Sequence, residues 1–177
     1  MTLGQLTLKT YPDPCLRIRT KPVEQFSAEI GDILRDMTDL MYISQGIGLA
    51  ATQVGVGLNL LVVDAGEGLI KLTNPEILDR SKEKSQFEEG CLSLPGVTVN
   101  IKRSKTIKIR AWDENGEIFI KKLEGLTATA IQHEMDHLNG KLIIDYLDPI
   151  RRFIVGRKLS LKRYSKKTCE VVCHERD

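Results

Sequence analysis

The chain has 177 residues, 41% hydrophobic and 28% charged, with a formal net charge of +2 at pH 7. That length and apolar content suit one globular domain with a sizeable core. The small net charge singles out no class of partner, and no apolar run is long enough to cross a bilayer as a helix, so neither a membrane nor DNA is expected as a partner.

The first residues lack the long apolar region of a secretory signal. Four cysteines, Cys15, Cys91, Cys169 and Cys173, are too few and too scattered for the disulfide framework of a small secreted domain. A reducing cytoplasm is the expected compartment.

In chain order, residues 1–26 read as irregular, because each proline of Tyr11-Pro12-Asp13-Pro14 restricts the residue before it. A helix should follow. Ser27 can cap it, Glu29 suits its first turn, and Ile30, Ile33, Leu34, Met37, Leu40 and Met41 recur at helical spacing. In Gly46-Ile47-Gly48-Leu49-Ala50-Ala51-Thr52-Gln53-Val54-Gly55, two glycines bracket Ile47, as where something approaches the backbone closely. A phosphate-binding loop is a poor alternative there, since no Gly-Lys-Ser/Thr ending follows; a plain turn is the other. Leu58 to Val63 reads as a buried strand, and Leu69 to Thr73 as a partner ended by Asn74-Pro75. Thr106 to Trp112 alternates with period two, Asp113-Glu114-Asn115-Gly116 supplies a turn, and Glu117 to Leu123 returns as a hairpin with one basic face.

The stretch Gln132-His133-Glu134-Met135-Asp136-His137 carries the chemistry. On a helix, the i, i+4 spacing puts His133 and His137 on one face, where both can hold one metal ion. At about 100° per residue, Glu134 lies about 100° around from His133 and about 60° from His137. It borders such a metal, in the place of a general base. Leu126, Ala128, Ala130, Ile131, Met135 and Leu138 make the helix apolar on two sides, with Gln132, Asp136 and Asn139 as its polar edge and Gly140 as its stop. A catalytic metal site needs three protein ligands and an open position. Taken alone, Cys91 in Glu88-Glu89-Gly90-Cys91-Leu92-Ser93-Leu94-Pro95-Gly96 reads as a small buried residue; beside a histidine pair lacking a third ligand, it becomes the candidate.

Beyond this helix, Leu142 to Leu147 reads as a short strand or a helical continuation, and Asp148-Pro149 starts a last helix. From Arg151 to Lys167 there are eight basic residues and no acidic one, the pattern of a solvated helix. Cys169, Cys173 and His174 have an unusual spacing for a second metal site.

Three segments in one order, Gly46 to Gly55, Glu89 to Ser93 and Gln132 to His137, resemble the three motifs of the peptide deformylases. The likeness runs roughly from Tyr11 to Tyr146. It implies an α+β fold with antiparallel sheets around a central metal-binding helix and a C-terminal helix. It places a catalytic domain over 1–150 and a basic C-terminal helix and tail over 151–177. The implied activity is removal of the formyl group from the N-terminal formyl-methionine of new polypeptides. Cys91, His133 and His137 are implied as metal ligands and Glu134 as the acid/base residue. Gln53 and the Leu92 backbone N–H are implied as donors to the developing oxyanion. Substrate backbone is implied to pair as an added strand with Ile47-Gly48 and near Gly90, where missing side chains leave room. Ile47, Leu126, Thr129 and Ala130 are implied to wall the methionine pocket. The family favours Fe²⁺; one thiolate and two imidazoles also suit Zn²⁺, Ni²⁺ or Co²⁺. Nascent formyl-Met chains are the implied partners, with possible docking to ribosomes through the basic tail. Two departures stand out. Thr52 occupies a position where the first motif usually has proline, which restores a backbone N–H and some freedom beside Gln53. Gly96-Val97-Thr98 lacks an arginine that some bacterial members carry after the second motif.

Two other readings compete. A zinc peptidase shares the His-Glu-x-x-His logic but usually takes its third ligand after the helix, where only His174 remains. A structural metal module needs four closed ligands and no Glu134 chemistry.

Overall fold

A computed structural model of the chain describes residues 6–174, with side chains to residue 161. The sequence expectations at Lys162, Arg163, Lys166, Lys167, Cys169, Cys173 and His174 therefore concern side chains outside the described residues.

The fold is α+β; the described residues form seven strands, all paired antiparallel, and three α-helices. Helix α1 spans Ala28–Ile43, and the Ser27 hydroxyl accepts from the Ile30 N–H at its start. Strands β1 (Gly48–Ala50), β2 (Leu60–Val63), β3 (Ile70–Arg80), β6 (Thr106–Trp112) and β7 (Ile118–Glu124) form one sheet in the order β1-β2-β3-β6-β7. Strands β4 (Lys84–Gly90) and β5 (Thr98–Ser104) form a separate hairpin. Helix α2 (Gly125–Leu138) follows β7 directly, and α3 (Pro149–His174) closes the chain.

Period-two alternation in β2 explains the layering. Leu60 and Val62 face α1 and pack with Ile33, Leu34, Met37 and Met41. Leu61 and Val63 face α2 and pack with Ala128, Ala130, Ile131 and Leu138. Buried on both faces, β2 reads as an uninterrupted apolar run. Each such leucine, fully buried, contributes about 1.5–3 kcal/mol. A third apolar cluster gathers Leu94, Val99 and Ile101 of the hairpin region with Leu142, Ile143, Ile144 and Leu159, and seats both Cys15 and Cys91.

Several expectations need correction. Asn74-Pro75 does not end β3, which continues to Arg80 through a register shift between Thr73 and Glu76. Asn74 sits at φ 53, and its side-chain amide bonds both the N–H and the carbonyl of Val23 at 2.8 Å, replacing a strand neighbour. The segment before Leu147 is neither strand nor α-helix but a 3-10 turn, Ile143–Tyr146. Gln132 is not part of a polar edge: it is buried, and its amide donates to the carbonyls of Ser104 and Ala128, both at 2.9 Å. Gly140 does terminate α2, at φ 71, and an added Cβ would stand 2.9 Å from the Arg17 carbonyl carbon.

Candidate active site

Helix α2 carries His133, Glu134 and His137 into the centre of the chain, all at most 8% exposed. The turn after β4 brings Cys91 to them. Its Sγ lies 3.2 Å from His137 Nε2, and Cys91, His133 and His137 offer ligand atoms within 4.8 Å of one another. With bonds of about 2.0–2.3 Å in a tetrahedral site, donor separations near 3.3–3.8 Å are needed. One thiolate and two imidazoles gathered this closely suit one divalent cation, and small side-chain adjustments would bring them to these separations.

The electrostatics fit it too. Burial works to lower the His133 pKa, but hydrogen bonds to Cys91 and Glu89 and the charge of Glu134 raise it well above its usual value. These neighbours call for positive charge beside Cys91, and a cation supplies it in place of a proton. Burial holds His137 well below its usual value, as a neutral ligand requires. Burial also pushes the Glu134 carboxyl up to about 7, and its Oε2 has no hydrogen-bond partner among the described residues.

A cleft of about 410 Å³ opens over this cluster. Its lining includes Ile47, Gly48, Gln53, Gly90, Cys91, Leu92, Leu126, Thr129, Ala130, His133 and Glu134, every site residue named from the sequence except His137, which lies behind it. Ile47 and Leu126 stand 46% and 44% exposed on its walls, whereas Thr129 and Ala130 are buried. The 3-10 turn Ala51–Val54, joined to β1, aims Gln53 into the site. Gln53 Oε1 accepts from the Ala50 N–H at 2.8 Å, which fixes the amide so that Nε2 faces Ser93 Oγ at 3.1 Å and Cys91 Sγ at 3.7 Å. Thr52 is not loosened: it is fully buried, and its hydroxyl donates to the His137 carbonyl at 3.3 Å.

The two glycines differ. A Cβ at Gly90 would meet nothing within 4 Å. A Cβ at Gly48 would collide with Glu134, 3.0 Å from its carboxyl carbon. Gly48 thus leaves room for the carboxylate in addition to any substrate.

Sequence reasoning left out the support behind His133. Glu89 Oε2 lies 2.9 Å from His133 Nδ1, and Arg103 holds the same carboxylate from Nε at 2.5 Å and Nη2 at 2.9 Å. Arg103 Nη1 continues to Asp136 at 2.9 Å, which also accepts from the Tyr146 hydroxyl at 2.7 Å. Glu89 and Arg103 are both buried, which ionised side chains tolerate only as partners. Glu89 stood inside the second motif; its burial was the missing signal.

The polypeptide deformylase family model matches residues 5–153. The chain belongs to the polypeptide deformylase family. It is 43% identical over 152 residues to the peptide deformylase of Thermotoga maritima, covering 86% of this chain and 93% of that one. The crystal structure of a peptide deformylase from Legionella pneumophila superposes with a TM-score of 0.84 at 39% identity, covering 93% of this chain and 98% of that one. The peptide deformylase from Ehrlichia chaffeensis in complex with actinonin gives a TM-score of 0.87 at 37% identity, covering 90% and 98%. The deformylase motifs supply the Cys-His-His group, and this family is metal-dependent.

Proposed function

We propose that this chain hydrolyses the formyl group from the N-terminal formyl-methionine of newly made polypeptides, releasing formate. The observation that supports it most is the meeting of Cys91, His133 and His137 with a buried, unpartnered Glu134 oxygen in one peptide-sized cleft.

Cys91, His133 and His137 would hold the divalent metal. Fe²⁺ is the ion proposed, by family likeness, with Zn²⁺, Ni²⁺ or Co²⁺ able to suit the same ligands. When bound, the cation supplies Lewis-acid polarisation of the formyl carbonyl and acidifies water. Glu134 takes the proton of the attacking water and delivers it to the leaving amine. The Gln53 amide and the Leu92 N–H donate to the oxyanion as charge develops. The Leu92 N–H makes no other hydrogen bond among the described residues. Substrate backbone pairs along Ile47-Gly48 and Gly90, while Ile47, Leu126, Thr129 and Ala130 hold the methionine side chain.

Residues 1–150 act as the catalytic unit, in the cytoplasm. The tail from 151 docks on ribosomes, supported by Arg151, Arg152, Arg157 and Lys158 standing exposed on α3. Such contacts weaken with salt. Charge reversal in the full chain tests this, since truncation after Pro149 would also remove Leu159 from the third apolar cluster. Arg157→Glu with Lys158→Glu should lower salt-sensitive co-sedimentation with ribosomes while cleavage of a free formyl-peptide persists, and unchanged co-sedimentation would remove the tail from docking.

Formate release from a formyl-Met peptide, with chelated and metal-restored protein side by side, tests the activity. No formate from metal-restored protein would end this reading. No helix of the described chain is long and apolar enough to cross a membrane.

A further inference from the structure

A second concavity, of about 290 Å³, lies between the β4–β5 hairpin and the C-terminal end of α2 and shares no lining residue with the substrate cleft. Five cations line it, Arg80, Lys84, Lys102, Arg103 and Lys141, against one carboxylate, Asp136. Asp136 is satisfied by Arg103 at 2.9 Å and the Tyr146 hydroxyl at 2.7 Å, and Arg103 is engaged with it and with Glu89. The other four have no ion pair among the described residues. Arg80 Nη1 donates to Gln132 Oε1 at 3.0 Å, and Lys84 Nζ to Ser104 Oγ at 2.8 Å. Lys141 Nζ stands 3.6 Å from the Tyr146 ring centroid. Neutral partners fix Arg80, Lys84 and Lys141 in direction without cancelling their charge, and Lys102 stands exposed beside them.

The negative end of α2 lies nearby and would oppose an anion, but its last carbonyls are occupied. That of Asp136 accepts from the N–H groups of Asn139 at 3.0 Å and Lys141 at 2.9 Å, and that of His137 accepts from Gly140 at 2.9 Å. What remains is an uncompensated positive concavity, which focuses anions.

We propose that this concavity binds a phosphate group. Lysines act as point donors to phosphate, and a tetrahedral anion presents oxygens to cations on several sides, which a planar carboxylate does not. The group comes from free phosphate or from an RNA backbone. The inference is independent of the deformylase reading.

The test uses the metal-loaded full chain, with amide NMR shifts of Ser104 and Lys141 followed as inorganic phosphate or an unstructured RNA oligonucleotide is added. Saturable shifts are expected, with affinity weakened about fivefold or more by Lys102→Glu and by Lys84→Gln. Lys122→Glu, exposed on β7 outside the concavity, should leave it unchanged. Circular dichroism and thermal unfolding matching the unaltered chain confirm that the variants fold. Tighter RNA binding that competes with phosphate identifies a backbone source; phosphate binding without RNA binding identifies the free anion. No saturable shift with either probe overturns the proposal, as does an equal loss in Lys122→Glu.

Discussion

Glu89 Oε2 and His133 Nδ1 face each other at 2.9 Å, 44 residues apart in sequence, with Arg103 clamped on the far side of the carboxylate. Burial pushes the Glu89 carboxyl up, but the Arg103 and His133 hydrogen bonds outweigh it and leave the pKa below the ordinary 4.5. The pair fixes the His133 ring so that Nε2 turns toward Cys91. Glu89→Gln should therefore lower metal affinity or activity about 10- to 100-fold, as measured by metal content and turnover on one preparation. A lowered carboxyl pKa stabilises the fold above the unfolded value and loses that contribution as pH falls through the folded one. The stability gap between wild type and Glu89→Gln should thus hold above pH 4.5 and close in acid.

Glu134→Ala should keep stoichiometric metal while turnover falls about 100- to 10,000-fold, because proton transfer and ligation are assigned to different side chains. Near-normal turnover with full metal would remove Glu134 from the chemistry. The metal-free protein adds a second readout. Burial raises the Glu134 pKa from 4.5 to about 7, so the unfolded state sheds this proton first and stability falls as pH rises across that interval. His133 and His137 are shifted in opposite directions from their ordinary 6.5 and add their own pH dependence, so the comparison is with Glu134→Gln, in which the Glu134 component of the slope should vanish. A bound cation stabilises the carboxylate, and the slope should shrink in metal-loaded protein.

Gly48→Ala tests the carboxylate's position without touching its chemistry. The new methyl would meet the Glu134 carboxyl group, with its carbon at 3.0 Å and Cγ at 3.1 Å. Displacement by a large fraction of an ångström should cost about 100-fold in kcat. Circular dichroism and metal content should stay near wild type. An unchanged kcat would mean that Glu134 rotates aside at no cost.

Cys91 and Cys15 belong to the same apolar cluster, yet only Cys91 meets the histidines. Burial raises the Cys15 thiol to about 11, which keeps it protonated. Cys91→Ser should abolish tight metal binding, whereas Cys15→Ser should leave both metal and rate within about twofold, since only a deprotonated thiol ligates. Equal, mild effects would return Cys91 to the role of a small core residue.

The elements that could be read from sequence are those whose burial writes a period. Ile30, Ile33, Leu34, Met37 and Met41 mark α1, and Thr106 to Trp112 alternates as β6. The β4–β5 hairpin could not be read, because in Lys84-Ser85-Gln86-Phe87-Glu88-Glu89 only Phe87 is apolar, too little to write an alternation. Its inward side mixes the apolar Val99 and Ile101 with a buried ion pair, Glu89 with Arg103. Burial of a paired charge leaves no hydropathy signal. Asn74-Pro75 misled for a related reason: a local turn signal was overridden by a tertiary contact, the Asn74 amide on the Val23 backbone. The metal cluster was legible because its chemistry demands particular residue types at a helical spacing. The residues that orient it were not, since their roles depend on contacts between distant segments.

Asp145 concerns stability alone. Its carboxylate accepts from the Leu142 N–H at 2.8 Å, pairs with both terminal nitrogens of Arg17, and bonds Arg152 Nη2 at 2.9 Å. It thereby ties the 3-10 turns Pro14–Arg17 and Ile143–Tyr146 to the first turn of α3. Burial raises its pKa, but Arg17 and the Leu142 N–H outweigh burial and hold it below the ordinary 3.8. Its contribution is therefore complete above that value and lost as pH falls through the folded pKa. Asp145→Ala leaves the Leu142 N–H unmet and frees both arginines, and should cost about 1–3 kcal/mol. Thermal or urea unfolding at pH 7 reads this loss, and it should narrow toward pH 3. Because Asp145 lines no part of the substrate cleft, formyl-peptide turnover well below the unfolding midpoint should stay within about twofold of wild type. A stability loss under 0.5 kcal/mol, the scatter of an ordinary surface substitution, would mean that solvent replaces all these partners and that α3 is held by Leu159 and its apolar neighbours alone.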